Sequence, residues 1–484
     1  HVSPFEQSEL NRCQTAMGLG PSSGDVCLCW SARNGHSVSH PGYKHPGSWS
    51  RTTPHLILHF DVNKTIVMVD TIQGIPTSDV LNGILAECAW GRANPNGGPL
   101  EKGWQLVEKL PSSARPAQKP ELMSYLEYLE QCLPGKDMKK KREQVWKKFT
   151  EPGEPGELLR PHYETMAAQL QQQGRMVGSG MVIAAFFDLV ADLVKNDRSF
   201  SIVFRTFGSD LPAVQAEFNA FCAGEHPRYP KLRLDGSAEG KPDLRLTAEN
   251  TGSWYRSAEN CSIVWGTTTL EEDLHSAKGI LDDFLQLPEN SSLQSSRGWD
   301  AVLKDLQTKT SKPSVLALRD YFPYWQKGGQ HGPYGKLLPV DPADHRCHSL
   351  FFDDNITLDA EDTKIVDVRD KTGKALWPVY AQRYYIARAE PLLAVADDNY
   401  YIRKVAEKEQ NFQRKRLARL RLRAATLTVS RMLRAEAEAQ KLNLPNRSAG
   451  YDPWAKSRVS ISKIHFSSSI AAADEEEHAL MVKQ

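Results

Sequence analysis

The stretch Leu56–Thr65, which reads LILHFDVNKT, decides the fold because an apolar run ends there in a carboxylate. Four of its first five residues are apolar, which is the pattern of a buried strand in a parallel sheet. In open α/β sheets, ligands bind just beyond the carboxyl ends of such strands. Asp61 is therefore expected where a nucleophile or a metal ligand would lie. The next residues, Ile66–Asp70, are expected to continue in extended conformation.

Two later apolar runs also end in polar side chains. The segment Ser199–Thr206, SFSIVFRT, ends in a hydroxyl, and Phe207 and Gly208 then lead into a predicted helix. The segment Leu350–Asp354, LFFDD, ends in a pair of carboxylates. The chain thus alternates helices and buried strands, which favours a doubly wound α/β fold.

The order of these polar residues along the chain is informative. An Asp follows one strand, a Thr a second, and Lys336 precedes a third strand that ends in Asp353 and Asp354. This arrangement resembles the haloacid dehalogenase-like (HAD) superfamily. The resemblance implies a mostly parallel, Rossmannoid sheet with large insertions. It also implies phosphoryl transfer through an aspartyl-phosphate, with a phosphorylated small molecule or protein as the substrate.

The resemblance assigns Mg²⁺ as the cofactor and Asp61 as the nucleophile. Asp61, Asp353 and Asp354 would be metal ligands, together with the backbone carbonyl of Asn63. Mg²⁺ prefers carboxylate and carbonyl oxygens, so these residue types suit that ion.

The phosphate is expected at Thr206, Phe207 and Gly208. A helix predicted to begin at one of the cap candidates Ser209 and Asp210, with Pro212 in its first turn, would direct its backbone N–H groups there. By the resemblance, Lys336 neutralises phosphate charge and keeps the nucleophile ionised. Two other lysines are alternatives for this role, Lys312 and Lys327.

Asn63 departs from the HAD pattern. HAD phosphatases carry a second Asp two residues after the nucleophile as general acid and base, and an amide cannot donate and recover a proton in that way. Such catalysis contributes about 10²–10⁴-fold to a rate. Three explanations are open. The substrate has a good leaving group such as an acyl phosphate, or His55 or His59 substitutes, or the protein is a catalytically weak binding or structural component of a larger assembly.

Length and composition bound the other function classes. A chain of 484 residues suffices for two or three domains. The net charge of +1 gives no reason to expect nucleic acid as a partner. No apolar segment is long enough to predict a membrane span. Eight cysteines do not make a disulfide scaffold in a chain of this size, so reduced thiols and a cytoplasmic location are expected.

The chain is expected to divide into several parts. Residues 1–53 form an irregular lead-in and 54–390 a HAD-like core. A cap-like insertion is expected at about 76–175 and a second insertion at about 225–312. Residues 445–484 have the composition of a polar, irregular tail.

A basic helical extension is expected at residues 391–444. Within it, Lys404–Arg434 carries many Arg and Lys residues with leucines between them. This pattern is typical of a solvated amphipathic helix, and it also suits contact with an acidic partner, a polyanion or another helix. The segment is therefore the candidate contact for a protein partner.

Overall fold

The computed structural model of the protein describes residues 53–68, 76–94, 103–173, 182–258, 260–268, 294–358 and 360–442. Apart from Thr53, the predicted lead-in and the predicted tail lie outside these ranges. The structure is mixed α/β and is built around one eight-stranded, mostly parallel sheet. This confirms the α/β class predicted from the sequence.

The described residues form thirteen strands and eleven α-helices. The strands are β1 (His55–Asp61), β2 (Trp90–Ala93), β3 (Trp104–Leu106), β4 (Met123–Ser124), β5 (Phe200–Thr206), β6 (Thr251–Arg256), β7 (Cys261–Trp265), β8 (Gln294–Arg297), β9 (Ser314–Asp320), β10 (Lys336–Pro339), β11 (Cys347–Asp353), β12 (Val366–Arg369) and β13 (Ile386–Arg388). The helices are α1 (Thr77–Cys88), α2 (Tyr125–Cys132), α3 (Lys139–Trp146), α4 (Arg160–Gln173), α5 (Ala184–Lys195), α6 (Leu211–Cys222), α7 (Trp299–Lys309), α8 (Phe322–Lys327), α9 (Pro378–Tyr384), α10 (Pro391–Ala396) and α11 (Tyr400–Leu442).

The central sheet has the strand order β13-β11-β1-β5-β9-β6-β7-β8. The first six strands of this order are parallel, and β7 and β8 add antiparallel pairs at one edge. β1 therefore lies between β11 and β5. Asp61, Thr206 and Asp353 are the last residues of these three strands. Parallel pairing brings the three side chains to the same edge of the sheet.

Both faces of the central strands are buried. On one face Phe60 and Phe352 contact Tyr401 of α11, and Phe60 and Phe204 contact Phe186 of α5. The intervening residues of the same strands pack on the other face with residues of α7, α8 and α9. Burial on both sides explains why these strands are nearly continuous apolar runs.

The chain turns immediately after β1. The N–H groups of Ile66 and Val67 both donate to the carbonyl of Val62, at 3.0 and 2.9 Å, and Lys64 takes a left-handed φ of 57°. The prediction of extended conformation was therefore wrong for residues 66–68, because local backbone hydrogen bonds close a tight loop. The remainder of that predicted stretch lies outside the described residues.

The described part of the predicted cap-like segment contains α1 to α4 and a small antiparallel sheet of order β3-β2-β4. Its buried aromatic residues Trp104, Tyr125 and Phe149 pack against one another, and the rings of Tyr125 and Phe149 are stacked. They belong to the same apolar cluster as β1 and α5. The segment therefore packs directly on the central sheet's own core.

The predicted second insertion, residues 225–312, differs from that expectation because it supplies three strands of the central sheet. β6 pairs in parallel with β9, and β7 and β8 extend the sheet from β6. All five residues of β7 are buried, as are five of the six in β6. Runs of that kind need cover on both faces, which membership of the central sheet provides.

The first turns of α11 belong to the core. Tyr401, Val405 and Phe412 are buried, and Glu409 accepts a 2.6 Å hydrogen bond from Arg198 in a buried ion pair. This part of the predicted extension therefore completes the fold. Across the described ranges, each helix is too short or too polar to traverse a bilayer.

The predicted contact segment Lys404–Arg434 divides into an internal and an external half. Lys404 pairs with Glu390 at 2.9 Å, and the buried Lys415 donates to a tyrosine hydroxyl in an aromatic cage. Most described side chains of Leu417–Arg434 are exposed, including Leu427, which is 61% exposed. Among the described residues of this segment, the outer half offers most of the exposed side chains to a partner.

His348 joins α11 to the sheet and makes stability depend on pH. Its Nε2 donates to the Tyr384 carbonyl at 2.8 Å and its ring stacks on Phe412. Burial lowers the pKa of His348 to about 3. Below its ordinary pKa of about 6.5 the unfolded chain binds a proton that the folded protein rejects. The stability contributed by this histidine is therefore present above pH 6.5 and is lost as the pH falls towards 3.

We expect His348→Asn to reduce the loss of unfolding free energy between pH 6.5 and 5 by about 1–2 kcal/mol. Urea unfolding at both pH values measures it. Gln410→Asn is the control, because Gln410 is exposed on the same helix α11 and carries no titratable group. Equal pH dependence in wild type and His348→Asn would contradict the assignment.

Candidate active site

Three carboxylates converge at the carboxyl edge of the sheet. Asp61 ends β1, Asp353 ends the neighbouring β11, and Asp354 follows directly. One carboxylate oxygen from each lies within 4.8 Å of the others. Asp61 and Asp353 are buried and Asp354 is half-buried. We call these three residues the carboxylate cluster.

Lys336 is the cation that contacts this cluster. Its Nζ donates to Asp61 Oδ1 in a short hydrogen bond and to Asp353 Oδ2 at 2.8 Å, and the lysine is only 1% exposed. The alternatives Lys312 and Lys327 are exposed at other places in the fold. The structure therefore brings together the lysine and the aspartates that the sequence order singled out.

A buried ion pair holds the strand that carries Lys336. Arg205 bonds both carboxylate oxygens of Asp320, at 2.9 and 2.5 Å, and donates to the Leu337 carbonyl at 3.0 Å. Arg205 is fully buried. Because Leu337 follows Lys336 in β10, this contact ties the short strand to the central sheet. The sequence carried no sign of it beyond a charged residue inside an apolar strand.

Burial and charge set the protonation of the cluster. Burial, followed by the charge of the neighbouring Asp353, raises the pKa of Asp354 to about 7, and burial also raises the pKa of Asp61 against the opposing charge of Lys336. Burial alone would lower the pKa of Lys336, but Asp353 and Asp61 hold it above its usual range, so this lysine stays charged. Three carboxylates thus face one ammonium. A divalent cation would complete the charge balance.

Thr65 links the nucleophile candidate to the rest of the site. Its hydroxyl donates to Asp61 Oδ2 at 3.3 Å and accepts from the backbone N–H of Asp354 at 3.2 Å. The Tyr401 hydroxyl donates to the Thr65 carbonyl at 2.7 Å. Sequence reasoning missed both residues. Thr65 had a signal, a hydroxyl within the same motif, whereas Tyr401 lies far along the chain and had none.

Thr206 ends β5, the strand next to β1; of its two predicted companions, Gly208 bonds within the loop, and Phe207 contributes only its ring, whose centroid lies 5.0 Å from Lys336 Nζ. The Gly208 N–H donates to Thr206 Oγ1 at 2.8 Å, so the Thr206 hydroxyl hydrogen is left to donate to another group. The Phe207 ring is buried and stacks on Trp325 with 5.2 Å between centroids. The Phe207 side chain and the Gly208 N–H are therefore engaged in contacts with the protein itself. The sequence pattern of a helix start does not show such contacts.

Asn63 faces a carboxylate. Its Nδ2 donates to Asp210 Oδ2 at 2.8 Å, while Asn63 Oδ1 is buried without a partner among the described residues. Asp210 occupies the capping position of α6, yet within the described chain its side chain makes no capping bond. An ionised carboxylate only accepts hydrogen bonds, so the amide N–H₂ must face Asp210. The Asp210 side chain, which was a candidate cap for α6, therefore bonds Asn63 instead.

Neither histidine proposed as a substitute lies at this edge in a form suited to proton transfer. His55 begins β1, about 20 Å along the strand from Asp61. His59 is buried, and its ring stacks on Phe351. Burial, followed by the Arg205 charge, lowers the pKa of His59 well below its usual range. The structure therefore argues against that explanation for Asn63.

The donor set fits a hard divalent cation. Two oxygens bound to one Mg²⁺ lie up to about 4.2 Å apart, because each bond is about 2.1 Å long. The spacing in the cluster is close to that limit. Lys336 uses one oxygen each of Asp61 and Asp353 and leaves the other for further contacts.

In comparisons with models of known protein families, with curated proteins and with solved structures, the chain has no significant match.

Proposed function

We propose that the protein is a Mg²⁺-dependent phosphohydrolase or phosphotransferase of the HAD type that acts through an aspartyl-phosphate. Its substrate would be a phosphorylated small molecule or protein. One observation carries this proposal: Lys336 bonds both Asp61 and Asp353 at an edge where Asp354 completes an acidic triad. Phosphoryl transfer needs a nucleophile and cations that neutralise the phosphoryl oxygens. The residues at this edge meet those needs.

The chain's own residues would divide the reaction between them. An Asp61 oxygen attacks phosphorus as the bond to the leaving group breaks, and water later hydrolyses the acyl phosphate. Lys336 stabilises negative charge on the phosphoryl oxygens, and the Thr206 hydroxyl donates to one of them.

Mg²⁺, held by Asp61, Asp353, Asp354 and the Asn63 carbonyl, would supply further charge neutralisation when bound. This ligand set is the one that the family resemblance implies. The three carboxylates are the part of it whose proximity supports the proposal.

Asn63 bears on the substrate. With an amide at position 63 and no suitable histidine at this edge among the described residues, the described part of the site lacks the usual proton donor for a poor leaving group. A substrate such as an acyl phosphate, whose leaving group needs little protonation, is therefore proposed ahead of an alkyl phosphomonoester.

The alternative function is that of a catalytically weak HAD-like protein that serves as a binding or structural component of a larger assembly. The exposed leucines of Leu417–Arg434 favour it, because this outer half of α11 offers both apolar and basic side chains. A protein is the proposed partner there, and nucleic acid is not. The proposed location is the cytoplasm, in keeping with the described cysteines being free thiols.

The test of the proposed function is phosphate release from acetyl phosphate and from a panel of phosphomonoesters, with and without Mg²⁺. We expect Mg²⁺-dependent turnover, fastest with acetyl phosphate. Calorimetry of the same preparation measures Mg²⁺ binding. Binding without turnover of any compound would favour the alternative function, and absence of both would end the catalytic proposal.

Exchanging the residues at positions 63 and 210 tests whether the lack of a proton donor at position 63 limits the hydrolysis of alkyl phosphomonoesters. The single variant Asn63→Asp places a carboxylate against Asp210, and the two like charges repel. The double variant Asn63→Asp/Asp210→Asn reverses donor and acceptor and keeps the hydrogen bond. We expect the double variant to hydrolyse alkyl phosphomonoesters about 10²–10⁴-fold faster than wild type. The measurement is kcat with each compound.

Two comparisons make that experiment decisive. Asp210→Asn alone adds no proton donor and should bring no gain, and Asn63→Asp alone should gain less than the double variant. Acetyl phosphate should respond least, because its leaving group departs readily. A double variant no faster than wild type would show that position 63 does not limit the reaction.

A further inference from the structure

A cavity of about 260 Å³ opens beside the carboxylate cluster. Asp354 forms part of its wall, so the cavity adjoins the proposed reaction centre. The opposite walls come from the cap-like segment, through Ile84 of α1 and Trp146 of α3. This volume is slightly below the roughly 300 Å³ at which pockets for drug-sized ligands begin, so the space suits only a compact group.

Positive charge predominates on the wall of this cavity. Lys64, Lys364 and Arg388 line it, against the carboxylates of Glu87 and Asp354. Arg388 bonds Glu87 at 2.5 Å, but its Nε is buried and meets no acceptor in the described part of the chain. Asp354 also belongs to the carboxylate cluster, so its charge is shared with that site. The other charged side chains of the wall are mostly cations, and they favour an anionic occupant that supplies acceptor oxygens.

The backbone draws attention to the same two lysines. Among the described residues, four other than glycine have a positive φ, and two of them are Lys64 at 57° and Lys364 at 67°. Glycine adopts this conformation more readily than lysine does. Residues held in such conformations concentrate at ligand-binding sites. The backbone conformation alone would favour glycine at both positions. The presence of lysine is therefore better explained by a role of its side chain.

We propose that this cavity binds the non-reacting part of the substrate and that this part carries a second anionic group, a carboxylate or a phosphate. Lys364, Lys64 and Arg388 are the residues that recognise it. The inference rests on the proposed function, because the phosphoryl group would lie at Asp61 while the second anion lies on the far side of Asp354. It narrows the substrate class to phosphorylated compounds with two anionic groups.

The test uses three small phosphate esters of similar size. Glycerol 3-phosphate has a neutral second end, 3-phosphoglycerate a carboxylate and propane-1,3-diol bisphosphate a phosphate. Binding is measured by calorimetry with Mg²⁺ on the Asp61→Asn chain, in which turnover is expected to be lost, and kcat/KM is measured on the double variant Asn63→Asp/Asp210→Asn, which is expected to hydrolyse alkyl phosphomonoesters. We expect the two esters with a second anionic group to be preferred over glycerol 3-phosphate by about tenfold or more, as for hydrogen bonds between charged groups. The stronger of the two identifies the anion.

Lys364→Gln should abolish this preference, mainly through KM. Lys364→Glu should reverse it and favour phosphoethanolamine, whose second group is a cation. Lys304→Gln is the matched control, because Lys304 is exposed on α7 outside the cavity and should leave the preference intact.

The outcomes separate this inference from the proposed function. Equal binding of glycerol 3-phosphate and the two esters with a second anionic group would overturn the inference, whether or not the protein turns them over. A preference that survives Lys364→Gln and Lys364→Glu would also overturn it. Failure of every phosphate ester and of acetyl phosphate to bind or react with Mg²⁺ would overturn the proposed function and this inference with it.

Discussion

Asp61→Asn is expected to lower turnover of acetyl phosphate by about 10⁴-fold or more, as for the loss of a nucleophile in other enzymes. The reason is chemical, because an amide oxygen is a poor nucleophile and cannot form the acyl phosphate. The side chain keeps its shape, and its oxygen can still accept a hydrogen bond from Lys336, as Asp61 does. The protein should therefore stay folded while activity is lost. The measurement is kcat, with thermal unfolding of the same sample.

Asp300→Asn is the control for that variant. Asp300 is exposed in the first turn of α7, so its loss should leave kcat unchanged. Activity in Asp61→Asn close to that of wild type would exclude Asp61 as nucleophile. If the variant instead unfolds, the carboxylate is needed for the fold, and loss of activity would then say nothing about chemistry.

Lys336→Met is expected to destabilise the protein by about 3–5 kcal/mol when divalent cations are absent, because it leaves buried charge without its partner. The lysine is 1% exposed and bonds two carboxylates, so its removal leaves like charges facing one another. Methionine preserves the length of the side chain beside the rings of Phe207 and Phe351. Urea unfolding with a chelator present measures the effect.

Mg²⁺ should restore part of the stability of Lys336→Met, since a divalent cation replaces the missing positive charge. The variant should therefore gain more unfolding free energy from Mg²⁺ than the wild type does. Lys371→Met is the control, because Lys371 is 59% exposed and its ion pair with Asp341 is expected to contribute at most about 1 kcal/mol. Unchanged stability of Lys336→Met in chelator would show that the cluster does not depend on this lysine for charge balance.

The ends of the central strands were predictable because of how those strands are buried. An apolar run covered on both faces is visible in the sequence, and so is the polar residue that ends it. Asp61, Thr206 and Asp353 were found in this way, and the parallel pairing places them at one edge. Lys336 had no such local signal. It followed from the order of the motifs alone.

Contacts between distant parts of the chain were not predictable from local patterns. Asp210 had the position of a helix cap, and only tertiary packing turns its carboxylate to Asn63. Of the strands from the predicted second insertion, β6 and β7 are apolar and buried, whereas β8 is polar and largely exposed, so hydrophobicity does not mark it as a strand. Which sheet they join depends on long-range pairing, which hydrophobic periodicity does not encode. The same holds for Tyr401, whose contact with Thr65 joins residues 336 positions apart.

That long separation has a consequence for how the protein is made. Lys336 and Asp61 are 275 positions apart, and the helix that anchors Thr65 comes later still. During synthesis Asp61 is therefore made 275 residues before Lys336, the lysine that bonds it. Contacts this distant in sequence form slowly and late in folding. A nascent chain or a C-terminally truncated product would thus expose an incomplete acidic edge, and only the finished polypeptide assembles the site.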